Sequence, residues 1–152
     1  MNSTIQQPQL HDIYFPEHKK GHMNYVVQQS TDEGIGEMIC YDVAHGIQIT
    51  YNDLKMDSCY RPLVPQKDFL QIDHCMEGCY EFEQAGGNVS FLGEGDLSVS
   101  SLCKGKQLFV GSRIPLKKYR GITVLLEIEK AQKTLDTGFQ QGHINLQQIR
   151  DV

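Results

Sequence analysis

Two short segments constrain the fold more than anything else in the chain. Val43-Ala44-His45-Gly46-Ile47 and Cys75-Met76-Glu77-Gly78-Cys79 each place glycine third in a three-residue loop between alternating strands. A loop of that length closes as a type I turn followed by a left-handed residue, and glycine fills that last position because it has no Cβ to clash. Such a loop fixes the register, and the register decides which side chains share a face. In the first hairpin Val43 is set opposite Ile47, Tyr41 opposite Ile49 and Ile39 opposite Tyr51. In the second, His74 is set opposite Tyr80, Ile72 opposite Phe82 and Leu70 opposite Gln84. A slip of one residue would mix apolar with polar positions. The pattern therefore predicts one nearly all-apolar face, read as the buried one, whose Tyr41, Tyr51, His74 and Tyr80 carry polar tips that need partners.

Strand signals are dense from Gly36 onward: 36–43, 47–53, 68–76, 79–84, 88–92, 96–102, 106–113 and 120–129. Ala85-Gly86-Gly87-Asn88 is read as a two-residue Gly-Gly turn that pairs Gln84 with Val89 and Phe82 with Phe91, and Gly93-Glu94-Gly95-Asp96 as another tight corner. Eight strands with one buried face must close on themselves or on a second sheet. The expected fold is mainly β, an antiparallel barrel or jelly roll over residues 34–129. Residues 1–33 are expected to form an irregular arm, with a short strand at Tyr25-Val26-Val27.

Beyond the last strand the periodicity changes. Residues 129–136 read as a short helix, and Asn145-Leu146-Gln147-Gln148 opens a second one with an N-cap and a glutamine three residues on. Leu135, Phe139, Ile144, Leu146 and Ile149 make an apolar stripe across the 130–152 segment. That stripe can pack on the barrel or on a partner helix, and a homodimer through it is the expectation.

With 152 residues the chain has room for one domain with a real core. A net charge of −5 and no basic run longer than Lys117-Lys118 exclude a chain that grips phosphate backbones by itself. The N-terminal residues lack a basic stretch followed by an apolar one, and no window has the length of a membrane span. Five scattered cysteines do not make a secreted disulfide framework, so a cytoplasmic protein is expected.

The stretch Leu70-Gln71-Ile72-Asp73-His74-Cys75-Met76-Glu77-Gly78-Cys79-Tyr80-Glu81-Phe82-Glu83, followed by Leu92-Gly93-Glu94-Gly95-Asp96-Leu97-Ser98-Val99, resembles the N-terminal domain of AraC/XylS-type transcriptional regulators. Gly36-Glu37-Met38, His45-Gly46-Ile47-Gln48-Ile49 and Asp53 fit the same pattern, as does the helical tail, so that the likeness covers residues 34 to 152. The resemblance implies a cupin-like barrel that senses a small-molecule effector and dimerises. It further implies that DNA is reached only through a C-terminal helix-turn-helix domain absent from this chain.

Candidate site residues follow from the apolar face: Tyr41, Tyr51, His74, Tyr80 and Phe82 are expected to line a ligand pocket, since polar tips converging in an apolar cup are the usual composition of one. No cofactor and no metal is expected, because His74 stands alone with Ile72 two residues before it, and fewer than three clustered ligands rarely hold a catalytic metal. Glu81, Glu83, Glu127 and Glu129 are read as solvent-side, and Arg61 as a surface or salt-bridge residue. Cys75 and Cys79 are placed opposite each other on the outer face as reduced thiols. No pair is set for acid–base work, so the chain is expected not to be an enzyme. The rival readings are a small metal-dependent cupin isomerase or dioxygenase and a stand-alone small-molecule-binding module.

Overall fold

Strand β4, Phe69–Gln84, is the spine of the molecule. Its first half belongs to a large antiparallel sheet and its second half to a small one. A computed structural model describes residues 24–31, 34–58, 64–138 and 143–151. The large sheet runs β1 (Asn24–Thr31), β2 (Gly34–Ala44), β3 (Ile47–Met56), β8 (Tyr119–Glu127), β4 and β6 (Leu97–Leu102). The small sheet sets β5 (Val89–Gly93) and β7 (Phe109–Arg113) on either side of β4. Helices α1 (Ile128–Gly138) and α2 (Leu146–Arg150) follow β8.

The first hairpin has the expected register in its body, with Tyr41 opposite Ile49 and Ile39 opposite Tyr51. Near the turn Ile47 pairs with Ala44 and not with Val43, which is the extra residue of a bulge. Gly46 sits at φ +78°, the left-handed position foreseen for it.

The second hairpin does not exist. Residues 68–76 and 79–84, read as two strands, are one strand of 16 residues. Gly78 does take a positive φ of 82°, but it serves a bulge at Met76: Cys75 pairs with Gly121 and Glu77 with Arg120. One extra residue shifts the parity of the strand, so Asp73 and Cys75 point inward before the bulge, and Tyr80 and Phe82 after it. Cys75 and Cys79 are both buried free thiols and are not opposite each other, Cys79 pairing with Gly93.

The Gly-Gly turn differs by one residue. Phe82 pairs with Ser90 and Glu81 with Phe91, leaving Phe91 on the outside and Leu92 buried. The corner at Gly93 is as read: Asp96 N–H donates to the Gly93 carbonyl, and Gly93 N–H to the Asp96 carboxylate at 2.8 Å. Strand β1 extends well past Tyr25-Val26-Val27 and pairs with β2 along its whole length. The rest of the arm, residues 1–23, lies outside the described residues, as do Arg61 and Phe139.

Two apolar cores result. Leu54, Met56, Cys75, Leu92, Ile114 and Tyr119 fill the space between the two sheets, with Tyr80 and Phe82 against them. The Tyr80 ring lies 4.4 Å from that of Phe82 and 5.2 Å from that of Tyr119, centroid to centroid. The second core is outside the large sheet: Leu70 and Leu126 are covered by Ile128 and Ala131 of α1 and by Leu146 of α2. Helix α2 is capped as predicted, Gln148 N–H donating to Asn145 Oδ1 at 3.2 Å, and Arg150 pins it to Asp68 at 2.7 Å. Leu135 and Leu146 of the helical stripe thus pack on the chain's own barrel, and Ile144 and Ile149 are exposed.

Candidate functional site

Part of the inner face of the large sheet is polar. Strand β3 sends Gln48, Thr50 and Asn52 inward, all buried, while Ile47, Ile49 and Tyr51 face out. Cross-strand pairing then builds two inner rows. One is Cys40, Thr50, Thr123, Asp73 and Ser98; the next is Asp42, Gln48, Leu125, Gln71 and Ser100.

Hydrogen bonds knit these rows together. Asn52 Nδ2 donates to Thr123 Oγ1 at 3.1 Å, and Thr123 donates in turn to Asp73 Oδ1 at 2.6 Å. Gln71 Nε2 donates to Asp73 Oδ2 at 2.8 Å, Thr50 Oγ1 to Cys40 Sγ at 3.4 Å, and Gln48 Nε2 to Asp42 Oδ1 at 3.2 Å. Burial raises the Asp73 carboxyl above the ordinary range, against the lowering effect of its bonds from Thr123 and Gln71. Burial likewise pushes the Cys75 thiol up.

The band runs out of the barrel at Glu127, two residues beyond Leu125 on β8. This carboxylate is 2 % exposed, which corrects its reading as a solvent-side residue. It lies between Lys67, 3.2 Å away in an ion pair, and Lys130 of α1 at 2.9 Å. Glu127 also lines an open groove of about 910 Å³ between α1, the approach to α2 and the turns at residues 66–68 and 104. Lys67, Lys104 and Lys133 contribute cationic groups there, His143 an imidazole, and Glu129 and Asp136 anionic groups.

The five expected pocket residues are divided between two surfaces. Tyr80 and Phe82 are inside, in the aromatic core. Tyr41, Tyr51 and His74 are on the outer face of the large sheet, where Tyr51 Oη accepts from Arg120 at 2.7 Å and His74 Nδ1 donates to the Asp96 carbonyl at 3.0 Å. Arg120 also pairs with Glu77 at 3.1 Å, beside a Lys118–Glu77 contact. The residues that do converge, Gln48, Asn52, Asp73 and Thr123, were passed over because they alternate with apolar neighbours taken as the inward set. The same alternation, read with the opposite sign, would have found them.

Chemically the band is a run of amide and hydroxyl groups around one carboxylate. Such a surface can hold hydroxyl- or amide-bearing molecules through several hydrogen bonds at once. Its donor set does not fit a resident transition metal. Among the described residues no three His, Cys, Asp or Glu side chains converge, and the described histidines at 45, 74 and 143 lie in a turn, on the outer face and in a loop.

No protein-family model matches the sequence, and no curated protein matches it either. Solved structures do resemble the fold. An RmlC-like cupin protein from Desulfovibrio desulfuricans shares 14% identity at a TM-score of 0.48, over 72% of this chain and 98% of that one. FeII HppE shares 10% at a TM-score of 0.51, over 68% and 56% of the two chains. An ectoine synthase from P. lautus shares 15% at 0.43, over 73% and 76%. The fold is mainly β and antiparallel, as expected, and shares its architecture with FeII HppE. The expectation that the chain is not an enzyme is overturned: the architecture it shares with FeII HppE gives no ground for excluding catalysis. Among the described residues no helix is long and apolar enough to cross a membrane.

Proposed function

We propose that this chain binds a small polar effector on the inner face of its large sheet, as the sensing domain of a transcriptional regulator of the AraC/XylS type. The observation that carries the binding reading is the polar band itself. A barrel stabilised only by packing would bury aliphatic side chains at positions 48, 50, 52, 73 and 123, because each buried polar group must be matched by a partner at a net gain of about 1 kcal/mol. The chain instead buries Gln48, Thr50, Asn52 and Asp73 there.

The groove lined by Glu127 begins two residues along β8 from Leu125 of the inner rows. Its mixed lysine and carboxylate lining suits a polar or zwitterionic molecule better than an aromatic one. Support for a regulator comes from the sequence likeness alone, and the helices that would lead to a DNA-binding domain are docked through Leu146 and Arg150.

A thermal-shift screen with sugars, polyols and amino acids tests the binding. A ligand that selects the native state stabilises it by mass action, by about 2.7 kcal/mol at a hundredfold excess over Kd, and so raises the melting temperature. Asn52→Ala should abolish the shift. A screen in which no such class raises the melting temperature, or one in which Asn52→Ala responds like the wild type, overturns the reading. A gene that encodes a helix-turn-helix pair beyond Val152 would support the regulator, and one that stops there would count against it.

A further inference from the structure

We propose that the guest of the inner face is a small hydroxylated amine, an amino sugar or amino polyol, whose ammonium group sits against Asp73. The inference rests on the binding reading above and names the ligand chemistry of that same site. Among the described residues two charged side chains are buried, Asp73 at 4% exposure and Glu127 at 2%. Glu127 has its counter-ions in Lys67 and Lys130. Asp73 has no cation beside it among those residues. The two hydrogen bonds it accepts come from neutral groups, the Thr123 hydroxyl and the Gln71 amide. Buried charges are ordinarily paired, because a carboxylate taken from water without a counter-ion is costly.

The surrounding strands do not supply the missing cation. The inner rows through Thr123 and through Gln48 contain no lysine, arginine or histidine, and the next row, Met38, Asn52, Gly121 and Cys75, contains none either. Arg120, the cation of β8, is on the outer face and is held by Glu77. A second carboxylate, Asp42, stands in the row of Gln48, so the field across the inner face is negative.

A guest can reach this place. Gln71, Ser98 and Thr123, which flank Asp73, are each partly exposed. An ionised carboxylate offers about four acceptor sites, of which Asp73 has two filled. Ser98 stands in register with Asp73, and Ser100 with Gln71. An ammonium group can therefore donate to Asp73 while hydroxyls on the adjoining carbons meet Ser98, Ser100 and Asn52. A neutral sugar makes the hydroxyl contacts and leaves the charge unmatched. A sugar acid adds a negative group to a negative field.

Isothermal titration calorimetry of the full chain at neutral pH, with matched probes, tests the inference. The probes are serinol against glycerol, and glucosamine against glucose and against N-acetylglucosamine, in which acetylation removes the charge. At least one amine should bind roughly tenfold or more tightly than its uncharged analogues, the difference between a charge-assisted hydrogen bond and a neutral one. Asp73→Asn should bring the same probes to within about twofold of each other. If that variant fails to fold, the wild-type ranking and its loss on acetylation decide alone. Uncharged probes that bind as tightly as the amines overturn the amine and leave binding on the inner face standing. An amine preference that survives Asp73→Asn overturns it by placing the cation elsewhere. Binding by none of the probes overturns it too, and the wider thermal-shift screen with Asn52→Ala then judges the binding reading separately.

Discussion

Thr123 donates its hydroxyl to Asp73 Oδ1 at 2.6 Å, joining β8 to β4 inside the barrel, and at the same time accepts from Asn52 Nδ2 at 3.1 Å. One hydroxyl thus serves both a buried carboxylate and a buried amide. Thr123→Val preserves the shape and removes both bonds. Leaving buried polar groups without their partner should cost about 2 kcal/mol. Urea denaturation at neutral pH would show this as a lower midpoint with an unchanged slope, and a loss below 0.5 kcal/mol would contradict the network.

Asp73 also gives the barrel a pH signature. Its folded-state pKa is raised, mainly by burial, so between the unfolded and folded values the native state holds a proton that the unfolded state has lost. Stability contributed by the neutral acid is therefore present below the unfolded pKa and is lost as pH rises through the folded one. Asp73→Asn removes this titration while keeping an acceptor for Thr123. The variant should gain on the wild type as pH rises from about 4 toward neutrality, measured by melting temperature in matched buffers. A difference that stays flat over that range would remove the burial argument.

Glu127 is a buried anion held by two cations of unequal exposure. Lys130 is the more enclosed of the two, its side chain 34% exposed against 51% for Lys67. Breaking a buried pair by removing one partner costs about 3–5 kcal/mol when nothing else compensates. With Lys67 still present, Lys130→Met should cost about 2 kcal/mol, and Lys67→Met less than about 1 kcal/mol as the more solvated partner. Chemical denaturation of the two variants side by side would check the order, and equal losses would refute it.

Much of this architecture was legible, and the errors have one origin. Alternation told which residues share a face, so the pairs Tyr41–Ile49 and Ile39–Tyr51 were found. It could not tell which face is inside. The apolar-is-buried rule chose wrongly because this sheet keeps Gln48, Thr50 and Asn52 in and leaves an apolar surface out. The second error was Gly78: a left-handed glycine between alternating segments signals a hairpin loop and a bulge equally well. Only the pairing of Glu77 with Arg120 and Gly78 with Tyr119, formed with a strand distant in sequence, separates the two. That parity shift is what parted Tyr80 and Phe82 from His74. Local chemistry, by contrast, was read correctly at Asn145, where the cap depends on residues three apart.

Gly78 itself offers the sharpest test of that long-range packing. Gly78 and Gly95 stand at nearly the same backbone angle, φ +82° and +86°. A Cβ at Gly95 would enter open space, whereas one at Gly78 would collide with the backbone carbonyl of Lys118. A methyl group in left-handed backbone costs about 1 kcal/mol by itself. Gly95→Ala should therefore lose about 1 kcal/mol. Gly78→Ala must also push β8 away from the bulge, displacing the Lys118 and Arg120 contacts to Glu77, and should lose more than about 3 kcal/mol. Equal losses in the two variants, measured by urea denaturation, would mean that β8 does not approach β4 at Gly78 as closely as described, and the bulge that sorts inner from outer residues would have to be redrawn.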